Sequence, residues 1–262
     1  MDIFICSDIH GRLEEYQEVL KRVGDNQLYV LGDCIDRHPN GADILLDIMH
    51  QDNVTLLLGN HEWMMYQTLF VPSGYVQSIW CSMNNGGAVT LHAIQDAIKN
   101  KAVTMNELEA FLLSCPLYID FGSIYLCHGL PHFTLFTTNL DSEVASFEQP
   151  HILTLKDAIE NGQEEVVDKM VWNSVFRHGY YIPAIEETRQ IETTVYSGHV
   201  IDEYAISTEQ TEDGLPLLKT DDEKVTCIDI DGGCAFPFDL EYNGHLNLLN
   251  ITRGAYERIE SK

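Results

Sequence analysis

The chain has 262 residues, 45 % of them hydrophobic and 21 % charged, which fits one α/β domain over residues 1–262 and excludes general disorder. Its 41 acidic residues against 15 basic ones give a formal charge of −26, so the surface as a whole repels phosphate backbones and anionic lipid heads; neither nucleic acid nor a membrane is an expected partner. Seven cysteines without a C-x-x-C pair predict reduced thiols, and with no signal-peptide core and no run near the roughly 18 apolar residues of a membrane span they predict a cytoplasmic protein.

Residues 3–6 form a short apolar run that predicts a strand, and Ser7-Asp8-Ile9-His10-Gly11 follows it directly. Leu13, Tyr16, Val19 and Leu20 then share one face of a predicted helix. Residues 28–31 predict a second strand, followed by Gly32-Asp33-Cys34-Ile35-Asp36-Arg37, and Ile44, Leu45, Ile48 and Met49 mark a second amphipathic helix. Residues 54–58 predict a third strand, followed by Gly59-Asn60-His61-Glu62. Strands alternating with helices imply parallel pairing and right-handed crossovers. That topology gathers the three polar motifs at the carboxyl edge of one sheet, where ligands bind in open α/β folds.

Helical periods return over residues 88–99, 105–114 and 164–175, interrupted by Pro116 and polar turns. Strands are predicted at 124–127, 194–196, 205–207, 225–230 and 246–251, and the alternation of these later strands predicts antiparallel pairing in a second sheet facing the first. The acidic stretch 209–223, with Gly214 and Pro216, reads as an exposed hairpin or loop.

The residues just after each strand carry the chemistry. They are Asp8 and His10, Asp33 and Asp36, Asn60 and His61, then His128 before Gly129 and His199 after Gly198. Singly, such residues are ordinary turn chemistry. Together and in this order they mix hard oxygen donors with imidazoles, a set that suits Mn, Fe or Zn better than Mg or Ca.

In these motifs the chain resembles the calcineurin-like metallophosphoesterases, and within them the phosphoprotein phosphatase branch of bacterial and phage type. The likeness runs from Ser7-Asp8-Ile9-His10-Gly11 to Asp229-Ile230-Asp231-Gly232-Gly233-Cys234-Ala235-Phe236, and Asn85-Gly86-Gly87 resembles a segment of the bacterial and phage members. The resemblance implies a four-layer α/β/β/α sandwich, with two facing mixed β-sheets flanked by helices and a dinuclear metal site at the strand ends. It implies that Asp8 and His10 bind one metal, that Asp33 bridges both, and that Asn60, His128 and His199 bind the second. A metal-bridging hydroxide would attack phosphorus in line, His61 would be the general acid oriented by Asp36, and Arg37 would hold the phosphate with Asn60. Two divalent ions are expected, Mn first, Fe or Zn otherwise.

Two positions depart from the family pattern. Ser7 stands where the first motif usually has Gly, and Trp172-Asn173-Ser174 stands where relatives carry Trp-Asn-Arg, leaving Arg177, and behind it Arg189, to supply a second phosphate contact. His38, His92, His132, His151, His178 and His245 are expected at surface or edge positions, Trp63, Met64 and Met65 in helix packing, and Cys34 as a space-filler beside the site. The leading function is a serine/threonine protein phosphatase-like phosphomonoesterase acting on a phosphorylated protein, peptide or small phosphoester. A symmetrical dinucleoside polyphosphate hydrolase is the alternative, for which Tyr180, Tyr181 and Arg177 would be the nucleotide clamp. A metal-stabilised binding protein without catalysis is the third reading.

Overall fold

The three leading apolar runs form parallel strands, as their alternation with helices predicts. In the computed structural model the chain divides into two units, residues 1–115 with 232–262 and residues 116–231. The residues described are 1–71, 74–129, 146–178, 192–201, 204–207, 209–220, 224–235 and 244–260. Elements are numbered in chain order along the whole chain.

The first unit holds β1 (Ile3–Cys6), α1 (Leu13–Val23), β2 (Gln27–Val30), α2 (Gly41–Ile48), β3 (Val54–Leu56), α3 (Asn60–Phe70), α4 (Gly74–Trp80), α5 (Gly87–Lys99) and α6 (Met105–Ser114), and near the C-terminus β11 (His245–Asn250) and β12 (Ala255–Glu260). Its sheet runs β12-β11-β1-β2-β3. β1, β2 and β3 pair in parallel, and β11 and β12 extend the sheet antiparallel. α1 buries Tyr16, Val19 and Val23, with Glu14 and Glu15 in its first turn and Lys21 and Arg22 in its last, the polarity that complements the helix dipole. α6 opens on a capping box in which Thr104 and Glu107 satisfy each other's backbone amides.

The second unit holds β4 (Pro116–Asp120), β5 (Ile124–Cys127), β6 (His151–Thr154), α7 (Leu155–Glu160), α8 (Glu164–Trp172), α9 (Val175–His178), β7 (Thr193–Ser197), β8 (Glu209–Gln210), β9 (Pro216–Lys219) and β10 (Val225–Asp229). Its sheet runs β6-β4-β5-β7-β10-β9-β8. A second mixed sheet is therefore present, but its centre departs from expectation, because β5, β7 and β10 pair in parallel. The alternating burial of β7 is real, yet alternation reports only that one face is more buried than the other, and a parallel strand with unequal faces gives the same pattern. Antiparallel pairing is confined to the outer strands, including the β8–β9 hairpin inside the acidic stretch.

Other differences have local causes. Residues 205–207 are not a strand, since three apolar or small residues among polar ones are too short a run to establish a ladder. Pro116 opens β4 instead of merely ending a helix, a place where its missing N–H costs nothing. The helix expected over 164–175 stops at Trp172, with α9 beginning at Val175; between them Ser174 is fully buried and its Oγ accepts the Phe176 N–H at 3.2 Å. His38 and His245, expected at surface or edge positions, are buried, and His38 Nε2 lies 3.0 Å from the Cys234 carbonyl oxygen.

Candidate metal centre

The loops after β1 and β2 are laced together beyond the strands by backbone bonds, from Asp8 N–H to Gly32 O, His10 N–H to Asp33 O and Gly11 N–H to Cys34 O. This side-by-side course brings the first two motifs into contact. Asp8, His10, Asp33, Asp36, Asn60 and His61 are each at least 97 % buried. His10 Nε2 lies 3.7 Å from Asp33 Oδ2 and 3.9 Å from Asp8 Oδ1, and His61 Nε2 lies 3.9 Å from Asp33 Oδ2. The His10 and His61 rings meet edge to face with centroids 4.8 Å apart.

The surrounding bonds set the direction of each donor. His10 Nδ1 donates to the Ile35 carbonyl at 3.0 Å, a bond that fixes the tautomer and turns Nε2 toward the carboxylates. Asp33 Oδ1 accepts the backbone N–H of His61 at 3.0 Å, so one carboxylate oxygen caps an orphan amide at the start of α3 while Oδ2 faces the two imidazoles. His61 Nδ1 lies 2.6 Å from Asp36 Oδ2. Burial pushes the Asp36 carboxyl up to about 7, against the opposing pull of the Thr90 and Trp80 hydrogen bonds, and pushes His61 down to about 3, with the Arg37 charge adding to the drop. Arg37 itself is exposed.

Glu62, Ser7 and Trp80 belong to this cluster although the motif reading gave none of them a role. Glu62 is fully buried; its Oε2 accepts the N–H groups of Asp33 at 2.8 Å and Gly59 at 3.1 Å, and its Oε1 accepts that of Cys34 at 2.9 Å. The carboxylate thereby ties the second motif to the start of α3. Burial raises its pKa, opposed by the hydrogen bonds from Asp33 and Cys34. The Ser7 hydroxyl sits 2.5 Å from Asp8 Oδ2, so the residue standing in place of glycine supports a candidate ligand. The signal for Glu62 was its place within the third motif; for Trp80 the sequence carried none. The Cys34 thiol is buried and held well above its ordinary pKa by that burial, in keeping with a space-filling role.

Among the described residues seven non-glycine residues have positive φ: Asp8, His10, Asp33, Asp36, Arg37, Lys101 and His199. All but Lys101 are candidate site residues. Left-handed backbone at such positions costs of order 1–3 kcal/mol each and persists only where the surroundings over-determine it.

In the second unit His128 follows β5 and His199 follows β7, two parallel neighbours, and the Gly198 N–H donates to the His128 carbonyl at 2.8 Å. Their rings lie 5.2 Å apart between centroids, and Trp172 stands edge-on to His199 at 6.1 Å. Gly129 is required here: a Cβ would lie 2.5 Å from the Met170 carbonyl oxygen and closer still to that of Asn173. Arg177 is exposed on α9. Tyr180, Tyr181 and Arg189 fall outside the described residues.

The donor set fits metal ions. Ligand atoms of His10, Asp33 and His61 lie within 4.8 Å of one another, and the buried carboxylates of Asp8 and Asp33 converge with imidazole nitrogens, a donor set that suits a cation. Residues 1–203 match the family of calcineurin-like phosphoesterases. The chain belongs to that family. That family is built around a dinuclear metal centre, and the residues described above include candidate ligand groups for one. A symmetrical bis(5'-nucleosyl)-tetraphosphatase of Chromobacterium violaceum is 34 % identical over 67 residues, 24 % of this chain and 24 % of that protein. A Caenorhabditis elegans protein named provisionally as a serine/threonine-protein phosphatase is 35 % identical over 68 residues, 23 % of this chain and 19 % of its own length. The matched stretches thus span about a quarter or less of these relatives. A metallophosphoesterase from Sphaerobacter thermophilus shares the fold, with a TM-score of 0.51 at 14 % identity, over 100 % of this chain and 89 % of its own. No described helix is long and apolar enough to cross a membrane.

Proposed function

We propose that this metallophosphoesterase is a phosphomonoesterase of the serine/threonine protein phosphatase type, cytoplasmic and acting as one catalytic domain over residues 1–262. The observation that carries the reading is the left-handed backbone at Asp8, His10, Asp33, Asp36, Arg37 and His199, strain concentrated at the residues the motifs single out.

In this reading Asp8, His10, Asp33, Asn60, His128 and His199 hold two metal ions, Mn first among the metals that mixed imidazole and carboxylate donors suit. Such cations, when bound, would make a coordinated water more acidic and would draw charge from the phosphoryl oxygens. Arg37, exposed beside the buried cluster, offers its planar fork to phosphate oxygens, with Asn60 and Arg177 as further contacts. His61 delivers a proton from Nε2 to the departing alkoxide. Asp36, 2.6 Å from Nδ1, aims the ring. The assignment of His61 as the acid rests on its place in the Gly59-Asn60-His61-Glu62 motif, and the buried Asp36 carboxylate at Nδ1 orients the ring for that role.

The match to a symmetrical bis(5'-nucleosyl)-tetraphosphatase supports a second reading, hydrolysis of dinucleoside polyphosphates by the same ligands. Metal-stripped protein reconstituted with Mn and offered an aryl phosphate, a phosphoserine peptide and diadenosine tetraphosphate in parallel separates the two. Peptide turnover lost in His61→Asn supports the phosphatase reading, and preference for the dinucleotide replaces it with the second. Turnover of none, with two metals bound, overturns both.

A further inference from the structure

The proposed acid pair has a third member. Trp80, at the end of α4, is fully buried, and its indole Nε1 donates to Asp36 Oδ2 at 2.6 Å, the same oxygen that His61 Nδ1 approaches at 2.6 Å. Asp36 is fully buried as well, and its backbone N–H donates to Thr90 Oγ1 of α5 at 3.1 Å. Asp36 is thus held at its carboxylate by α4 and at its backbone by α5, elements that carry no metal-ligand motif.

The connection between α4 and α5 ends on Asn85-Gly86, with Gly87 opening α5; Asn85-Gly86-Gly87 is the segment singled out in the sequence and left without a role. Asn85 Nδ2 donates to the Ile79 carbonyl at 3.0 Å, closing the end of α4. A Cβ on Gly86 would lie 2.8 Å from Arg37 N. A Cβ on Gly87 would lie 2.5 Å from Cδ1 and 2.6 Å from Cε2 of the Trp80 indole, so only glycine lets the ring lie where it reaches Asp36. Each residue of the segment therefore bears on Trp80, on the helix that carries it, or on Arg37.

We infer that Trp80 is a positioning residue for leaving-group protonation: through Nε1 it fixes the Asp36 carboxylate, and through that carboxylate the His61 ring. Asn85-Gly86-Gly87 is the turn that seats it. Without the indole N–H, Asp36 loses a donor that sets its plane, and the His61 ring loses its aim while the metal-ligating residues stay in place. This rests on the assignment of His61 as the acid.

The test compares His61→Asn, Trp80→Phe and Gly87→Ala with the wild type on two substrates. An aryl phosphate has a good leaving group and needs little protonation; a phosphoserine peptide leaves as an alkoxide and needs it fully. Trp80→Phe and Gly87→Ala should lose about 10-fold or more in kcat on the peptide and less than about 3-fold on the aryl ester, with KM little changed, against a larger loss of the same kind, up to about 10²–10⁴, in His61→Asn. A parallel readout needs no metal. In the nitrogen-15 spectrum of metal-stripped protein, the Nδ1 proton assigned to His61 by its absence in His61→Asn should lie far downfield, and it should move in both other variants. Equal losses on the two substrates in Trp80→Phe, or an unmoved Nδ1 proton, overturn the role of Trp80. Equal losses in His61→Asn itself overturn the acid assignment beneath it.

Discussion

The loops after β1 and β2 and the loops after β5 and β7 all carry candidate metal ligands, carboxylates with an imidazole in the first pair and imidazoles alone in the second, and they are built differently. In the first unit five residues, Asp8, His10, Asp33, Asp36 and Arg37, hold left-handed backbone, and buried acceptors fasten them: Glu62 on the amides of Asp33 and Cys34, Asp33 on that of His61. In the second unit only His199 among the described candidates is left-handed; the His128 carbonyl accepts the Gly198 N–H, and Gly129 permits a close approach of the backbone. Where carboxylates must converge, the fold spends backbone strain and buried hydrogen bonds to hold them. Where two imidazoles suffice, adjacent parallel strands and a glycine do the work.

The largest effect expected from this contrast is catalytic. His61→Asn should lower kcat on a phosphoserine peptide by about 10²–10⁴, while Arg177→Ala, at an exposed second-unit position, should raise KM with a much smaller change in kcat; steady-state kinetics on both separates the halves. Next comes Glu62→Ala, which strands three buried N–H groups at about 1–3 kcal/mol each. A lowered urea midpoint in the metal-free protein checks it, and an unchanged midpoint would mean that the carboxylate is not what fastens the second motif. Gly129→Ala should be milder in stability, because its clash is with two carbonyl oxygens that a local shift can relieve, yet it should weaken metal binding; Mn stoichiometry and the rise in Tm on adding Mn read both.

The smallest effect is the pH dependence of the metal-free protein. Asp36, raised from 3.8 to about 7, binds its proton more tightly when folded, so its contribution is present below about pH 4 and lost as pH rises through 7. His61, lowered from 6.5 to about 3, contributes stability above pH 6.5 that is lost as pH falls through 3. The two slopes oppose each other between about pH 4 and 6.5. His61→Asn removes the rising slope, so its stability should fall with pH over that interval, and Asp36→Asn should show the reverse; urea midpoints across the range test the sign.

Much of the first sheet was legible because its strands are short apolar runs that end at polar motifs, and β1, β2 and β3 lie where those runs stand. The second sheet was read less well. The alternation of β5, β7 and β10 points to antiparallel pairing where the three run parallel, and neither β4, with its leading proline, nor β12, with its charged alternation, carries a strand signal, since pairing direction and edge position depend on neighbours distant in sequence. The ligand candidates were legible because each follows a strand at short spacing, while Trp80 lies 44 residues from Asp36 and shows no periodic or motif signal.

By itself the sequence determined the membership of the chain in a metallophosphoesterase family and the residues that converge after β1, β2 and β3, because side-chain type and short spacing are local properties. Only the tertiary structure decided how those residues are held. The left-handed loops, the Glu62 carboxylate across three amides, the glycine under the Trp80 indole and the parallel seating of His128 beside His199 all depend on atoms brought together from far along the chain, whose hydrogen bonds and close approaches exist only once the sheets have formed.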